Sequence, residues 1–173
     1  MKRFSNSLTF AAIAVVTLSA ICAGMAHAKG KANYKVGDTI ADFALKDDQG
    51  RTVRLSQFAG KVVVIDFYAS WCPGCNEAAP HVEKEIWQKY KGRNVQVLGI
   101  AVQEGESPAG KFSKFRKDHG VTYPLLLDEP GVIIQKFGFT GIPQGIVIDG
   151  KGKYVSAPDS VDGITATLKK LVK

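Results

Sequence analysis

The segment KVVVIDFYASWCPGC, residues 61–75, combines the features that decide the fold. Its first eight residues form a continuous β-branched and aromatic run, which predicts a central strand covered on both faces. Pro73 is of the type favoured in the first position of a helix, so a helix is predicted to begin soon after the strand. Cys72 and Cys75 are therefore expected at a junction between a buried strand and a helix.

Strand and helix patterns alternate on either side of this segment. The residues before it predict a β-hairpin around a turn at 47–50. The helix that begins at Pro73 is predicted to run to about Lys91, with a kink at Pro80, which lacks the N–H for an intrahelical bond. Further strands are predicted at 95–102, 123–127, 145–149 and 154–155, and further helices at 109–119, 131–137 and 161–171. This alternation predicts an α/β fold.

The first 28 residues are predicted to be an export signal. A short basic start precedes an apolar run over residues 8–23, and Ala26-His27-Ala28 matches a small-x-small cleavage site. An uncleaved signal would instead leave an N-terminal membrane anchor, because the apolar run is nearly long enough to span a bilayer. Lipidation at Cys22 is a further alternative, although Ile21 before it is large for a lipidation site.

The remaining chain is predicted to be one folded domain. The sequence has 173 residues with an ordinary hydrophobic content of 45%, and this length favours a single domain. Removal of the signal leaves a short linker, 29–35, before a domain over 36–173. It also removes Lys2 and Arg3 and lowers the formal net charge from +7 to +5. The absence of an arginine-rich run or interleaved aromatic residues argues against nucleic-acid binding.

The two remaining cysteines indicate redox chemistry. A bond between Cys72 and Cys75 closes so short a loop that it removes little chain entropy. Free N–H groups at a helix N-terminus lower the pKa of a cysteine there, which favours the thiolate that attacks disulfides. Cys72 is therefore the predicted nucleophile, and Cys75, one turn into the helix, resolves the mixed disulfide. An inert pair and a zinc half-site are the alternatives, but only His81 and His119 could complete a set of zinc ligands.

Asp66 and Pro143 are predicted to assist the cysteines. Asp66 lies within the buried strand, where a carboxylate is costly unless it is hydrogen-bonded or protonated. It is predicted to accept and return the proton of Cys75; a side chain near the strand end that reaches water is the alternative. A cis bond before Pro143 would turn the Ile142 backbone towards the cysteines, where it can pair with a substrate strand. A trans turn proline is the alternative there.

From about Val36 to its C-terminus, the chain resembles the TlpA/ResA branch of thioredoxin-like proteins, which is related to the cytochrome c maturation thioredoxins. The matching pieces, in order and spacing, are Gly37-Asp38 with Phe43, residues 55–60, Ala69-Ser70-Trp71-Cys72, Pro80, Leu126-Leu127-Asp128 and Gly141-Ile142-Pro143. The resemblance implies a thioredoxin fold with an N-terminal β-hairpin extension. It also implies a central helix–strand insertion, which residues 104–128 would supply.

The resemblance carries residue roles as well. It implies that Cys72 is the nucleophile, that Cys75 is the resolving cysteine and that Pro143 follows a cis bond. Substrate contacts are expected at Trp71, Pro73, Gly74 and Ile142.

Two positions depart from the family pattern. Many relatives have Glu three residues after the second cysteine, where this chain has Ala78. Glu77 is adjacent, but one residue rotates a side chain by about 100° around a helix, so the role is not transferred to it. Many members of the branch have Asn where this chain has Asp66, which resembles the buried aspartate of thioredoxin itself. No lysine lies in the neighbouring strand, 95–102, to pair with Asp66.

The expected function is dithiol–disulfide exchange with protein partners by a monomer in the periplasm or its equivalent, without a cofactor or metal. The family suggests a reductase that receives electrons from a membrane donor of the DsbD or CcdA type. One alternative is a peroxiredoxin-like peroxide reductase, although neither cysteine has Thr or Ser three residues before it. The other alternative is a copper- or haem-related metallochaperone.

Overall fold

The computed structural model describes residues 33–105, 108–129 and 131–172, with the side chains at 108 and 109 left out. The predicted export signal, including Cys22, lies outside the described residues. The strands are β1 (Ala44–Asp47), β2 (Thr52–Arg54), β3 (Val62–Tyr68), β4 (Val95–Val102), β5 (Leu125–Asp128), β6 (Gln144–Ile148) and β7 (Tyr154–Ser156). The α-helices are α1 (Pro73–His81), α2 (Gln88–Tyr90), α3 (Pro108–His119), α4 (Val132–Lys136) and α5 (Val161–Leu171).

The strands form one seven-stranded sheet in the order β2-β1-β5-β4-β3-β6-β7. Strand β3 lies near the centre, parallel to β4 and antiparallel to β6, and all seven of its residues are buried. Apolar clusters cover both faces of the sheet, which confirms the prediction of a doubly covered strand. Because β3, β4 and β5 are parallel, their carboxyl ends meet at one edge, where the cysteines follow β3.

The two additions that the family resemblance implied are present. Strands β1 and β2 form the N-terminal antiparallel hairpin, with Leu45 opposite Val53. Helix α3 and strand β5 form the central insertion, and β5 pairs with β4 on one side and with β1 on the other. The insertion therefore joins the hairpin to the central sheet.

Two elements differ by more than one residue from the sequence-based expectation. The strand predicted over 123–127 begins at Leu125, because Pro124 has no N–H to donate to a neighbouring strand. The long helix predicted from Pro73 changes type after His81, and residues Val82–Trp87 are wound as a π-helix before α2. This wider winding follows Pro80, which has no N–H for the helical hydrogen bond.

Gly99 permits close packing over the centre of β4. It lies directly across from Asp66 in the parallel register of β3 and β4. A Cβ atom at Gly99 would lie 2.7 Å from Leu125 Cδ2, 3.0 Å from Tyr123 Cε2 and 3.3 Å from Tyr68 Cε1. The absence of a side chain at this position therefore lets two tyrosine rings lie against the strand.

We expect Gly99→Ala to lower the free energy of unfolding by about 1–3 kcal/mol, because the added methyl group overpacks the core. Gly92→Ala is the control, since a Cβ atom there meets nothing within 4 Å. Urea denaturation followed by tryptophan fluorescence measures both variants. Equal stability of the two variants would show that the packing around Gly99 can relax without cost.

Candidate active site

Cys72 lies at the boundary between the loop after β3 and the first turn of α1. It is the N-cap residue of α1, with Pro73 in the first helical turn, as predicted. The main-chain N–H of Cys75 points at Cys72 Sγ over 3.3 Å. The two cysteines form a disulfide and are both buried, with exposed fractions of 6% for Cys72 and 2% for Cys75. This placement lets backbone N–H groups stabilise a negative charge on the Cys72 sulfur.

The loop before β6 packs beside the disulfide. The Ile142–Pro143 peptide bond is cis, as the resemblance implied. The carbonyl oxygen of Ile142 lies 3.9 Å from Cys72 Sγ. On the other side of the bond, the Pro143 ring faces Gly74, where an added Cβ atom would lie 3.4 Å from Pro143 Cδ. The Ile142 backbone thus borders the nucleophilic sulfur.

Residues just after β4 hold the segment that precedes Cys72. The indole Nε1 of Trp71 donates to the carbonyl oxygen of Gln103 over 2.9 Å. The carboxylate of Glu104 accepts from both the main-chain N–H and the hydroxyl of Ser70, each over 2.6 Å. Glu104 is only 2% exposed, whereas Trp71 is 56% exposed. The Trp71 indole is therefore held by a hydrogen bond while much of its ring is exposed to solvent at the rim of the site.

A groove of about 730 Å³ opens beside the disulfide. Its walls include the four residues that the sequence predicted as substrate contacts, together with apolar side chains from α4 and the loop that follows it. Its lining includes Trp71, Cys72, Gly74, Ile134, Phe139 and Ile142. The groove therefore lies along the Ile142 backbone and beside the disulfide.

Asp66 is buried in the middle of β3, only 6% exposed. Burial raises the pKa of its carboxyl group from 3.8 to about 6, and a hydrogen bond from Tyr123 acts in the opposite direction. The Tyr123 hydroxyl lies 3.4 Å from Asp66 Oδ2. The alternative of a side chain that reaches open water is wrong. A carboxyl group with a pKa near 6 can take and release a proton close to neutral pH.

The position of the missing family glutamate lies against Asp66. Ala78 and Asp66 line the same small cavity, about 40 Å³, which also borders Pro143 and the loop before α5. A cavity of this size has room for a water molecule. Glu77, by contrast, is exposed on α1. Asp66 on β3 therefore supplies a carboxylate beside Ala78, whereas Glu77 does not.

Sequence reasoning missed Glu104 and Tyr123. The sequence did contain a signal for Glu104. Strands β3 and β4 are parallel, so the acidic residue just after β4 lies at the same edge of the sheet as the cysteines just after β3. Tyr123 gave no such signal, since it follows β3 by more than fifty residues and reaches Asp66 only through the fold. Among the described residues, no group of three or more His, Cys, Asp or Glu side chains could hold a metal ion.

The remaining candidates lie at the margin of the site. His81 is exposed and its Nδ1 lies 2.7 Å from Glu85 Oε1, as expected for a residue at the rim. The His119 ring packs on Phe115 with 4.7 Å between ring centres. Within the ranges that the structure describes, no helix has the length and apolar character needed to cross a membrane.

Comparison with known proteins identifies relatives of this arrangement. The AhpC/TSA family profile matches residues 36–156. The thiol-disulfide oxidoreductase ResA of Geobacillus thermodenitrificans is 32% identical over 123 residues, which cover 71% of this chain and 68% of that protein. ResA of Bacillus subtilis is 29% identical over 126 residues, 73% of this chain and 68% of its own length.

A solved structure shows the same fold. The thioredoxin domain of a thiol-disulfide oxidoreductase from Bacteroides vulgatus superposes with a TM-score of 0.71, covering 81% of this chain and 99% of that domain. The two sequences are 22% identical, so this likeness concerns the fold alone. The mixed sheet and its helices are those of a thioredoxin fold.

The burial of Asp66 predicts a stability that depends on pH. Because its pKa is about 6 in the folded protein and near 3.8 when exposed, the folded state holds the proton more tightly. Its contribution to stability is therefore greatest at low pH and is lost as pH rises from about 4 to about 7. Between these values we expect the wild type to lose about 2–3 kcal/mol relative to Asp66→Asn.

Urea denaturation of the oxidised proteins at the two pH values measures this difference. Asp66→Asn is the matched reference, because it keeps the shape of the side chain and removes its titration. A constant difference between wild type and variant across the range would contradict the raised pKa.

Proposed function

The chain belongs to the AhpC/TSA family and is a thioredoxin-like thiol:disulfide oxidoreductase of the TlpA/ResA type, and we propose that it is an exported reductase of protein disulfides. One observation carries the proposal: the Cys72–Cys75 disulfide lies at the N-terminus of α1 beside the cis Ile142–Pro143 bond. The redox-active disulfide performs the reaction without a cofactor or metal. The protein acts as a monomer.

The first step is attack by Cys72 of the reduced protein. Its thiolate attacks one sulfur of a partner disulfide, forms a mixed disulfide and releases the other partner sulfur as a thiolate, which takes up a proton. The N-cap position of Cys72 supports this role, because the Cys75 N–H already points at its sulfur over 3.3 Å. The helix dipole adds to the stabilisation of the thiolate.

The second step is resolution by Cys75. Cys75 passes its proton to Asp66 and attacks the Cys72 sulfur, so that the Cys72–Cys75 disulfide forms and the second partner sulfur leaves as a thiolate. The partner gains two electrons in total and the enzyme loses two. The pKa of Asp66, about 6, suits proton acceptance near neutral pH. The cavity shared with Ala78 offers a route by which a water molecule returns the proton to solvent.

The groove beside the disulfide is the proposed site for the partner. An extended segment of the partner can pair with the main chain at Ile142, which borders the Cys72 sulfur. Apolar side chains of the partner would pack against Ile134 and Phe139 in the groove wall. The exposed Trp71 ring closes the other side of the disulfide.

Two buried carboxylates support the reducing direction. Glu104 is held against Ser70, two residues before Cys72, and Asp66 lies within β3. Negative charge near a thiolate disfavours it, and a less stable reduced state makes a dithiol a better reductant. The helix N-terminus acts in the opposite sense on Cys72.

The predicted export signal over residues 1–28 supports a location in the periplasm or its equivalent. There it receives electrons from a membrane protein of the DsbD or CcdA type, and its partners include proteins of cytochrome c maturation. The groove and the exposed Trp71 would serve both the donor and the partners, because each must approach the same disulfide.

We expect Cys75→Ser to accumulate mixed disulfides with partner proteins through Cys72, because the resolving thiol is absent. Cys72→Ser is the matched control and should trap none. Non-reducing electrophoresis of the exported fraction, with mass spectrometry of the linked peptides, identifies the cysteine used. Partners joined to Cys75 in the Cys72→Ser protein would reverse the assignment, and peroxide consumption that persists in Cys75→Ser would favour a peroxiredoxin-like activity.

The reduction potential of the wild type should lie closer to the value of about −270 mV for thioredoxin than to about −120 mV for DsbA. Glu104→Gln should raise it by about 30 mV, roughly a tenfold change in the exchange equilibrium, because a buried negative charge is removed. Glu77→Gln, which changes an exposed carboxylate on α1, is the control. Equilibration with glutathione buffers measures all three, and a wild-type value near that of DsbA would contradict the reductase proposal.

A further inference from the structure

The carboxylate of Asp66 has a single hydrogen-bond donor among the residues that the structure describes. That donor is the hydroxyl of Tyr123, whose oxygen lies 3.4 Å from Asp66 Oδ2. Tyr123 is fully buried. The neighbouring strand β4 contains no lysine. The partner of the Asp66 carboxylate is therefore a neutral phenol and not a charged amine.

The main chain around Tyr123 is fixed from two directions. The N–H of Thr122 donates to Glu83 Oε2 over 2.8 Å. The carbonyl oxygen of Tyr123 accepts from Arg116 Nη1 over 3.1 Å. Gly99 leaves space for the ring, because a Cβ atom there would lie 3.0 Å from Tyr123 Cε2. The hydroxyl is therefore brought to Asp66 by a rigid main chain across β4.

Among the described residues, no cation forms an ion pair with Asp66. Arg116 on α3 pairs with Asp48 and donates to the Tyr123 carbonyl oxygen instead. The other titratable groups around Asp66 and Tyr123 are Tyr68 on β3, Glu83 on the π-helical segment and Asp159 in the cavity wall. Burial raises the pKa of Tyr123 well above its ordinary value, so its hydroxyl keeps its proton and remains a donor throughout the working pH range.

We propose that Tyr123 is a positioning residue for Asp66: its hydroxyl donates to the carboxylate and holds it ready to take the proton of Cys75 in the resolving step. This inference rests on the proposed role of Asp66. The bond is stronger to the ionised carboxylate than to the neutral acid, and the ionised form is the one that takes the proton. Loss of the hydroxyl therefore makes Asp66 ionise at higher pH, so that fewer molecules are competent to resolve near neutrality.

Tyr68 supplies a matched control. It is also buried, it lies two residues after Asp66 on β3, and its hydroxyl has no hydrogen-bond partner within the described part of the chain. Tyr123→Phe and Tyr68→Phe each remove one buried hydroxyl and keep the ring. The two variants differ in whether the lost hydroxyl donates to the carboxylate.

The first measurement is independent of activity. The Asp66 carboxyl carbon is titrated by NMR in the oxidised wild type, Tyr123→Phe and Tyr68→Phe. We expect the Asp66 midpoint to rise by about one pH unit in Tyr123→Phe, since a hydrogen bond to a charged group is lost. Tyr68→Phe should titrate as the wild type does. An unchanged midpoint in Tyr123→Phe, or an equal rise in both variants, overturns the inference.

The second measurement follows the resolving step itself. The reduced protein is converted to the adduct of Cys72 with 5-thio-2-nitrobenzoate, and release of the coloured thiol by Cys75 is recorded by stopped flow across pH. The rate of this step should fall at low pH as Asp66 is protonated. The pH midpoint of that fall should rise by about one unit in Tyr123→Phe, and the fall should be absent in Asp66→Asn. If the rate still falls at low pH in Asp66→Asn, the proposed role of Asp66 is wrong. If the fall disappears in Asp66→Asn but keeps its wild-type midpoint in Tyr123→Phe, only the role of Tyr123 is wrong.

Discussion

Cys72 lies between a strand buried on both faces and a helix whose Cys75 N–H points at its sulfur, and the rest of the site depends on this junction. Strand β3 cannot shift, because β4 and β6 pair along its length. The helix begins where it does because Pro73 occupies its first turn. The cis bond before Pro143 then brings a free stretch of main chain to within 3.9 Å of the same sulfur.

The chemistry of the site is a balance between that helix terminus and buried acid. The N-terminus of α1 favours a thiolate on Cys72, whereas Glu104 and Asp66 place negative charge nearby. Asp66 on the strand and Ala78 on the helix border the same small cavity. Burial raises the pKa of the Asp66 carboxyl group to about 6, which makes it the proposed proton acceptor of the site.

The insertion after β4, which comprises α3 and β5, contributes to both parts of this balance. Glu104 at its start fixes Ser70 before the nucleophile, and Tyr123 near its end reaches Asp66. The same insertion supplies β5, to which the N-terminal hairpin pairs. A segment that extends the sheet thus also supplies polar groups to the site, with Glu104 just after β4 and Tyr123 just before β5.

Local sequence determined the strand at Val95–Val102, the helix start at Pro73 and the pair Cys72 and Cys75, because these depend on hydrophobic runs, a proline and spacing along one stretch of chain. The cis bond before Pro143 required the family resemblance, since local sequence leaves cis and trans open. The contacts of Glu104 with Ser70 and of Tyr123 with Asp66 were decided only by the tertiary structure. Each joins residues more than thirty positions apart, and such pairs meet only when the order and register of the strands are set.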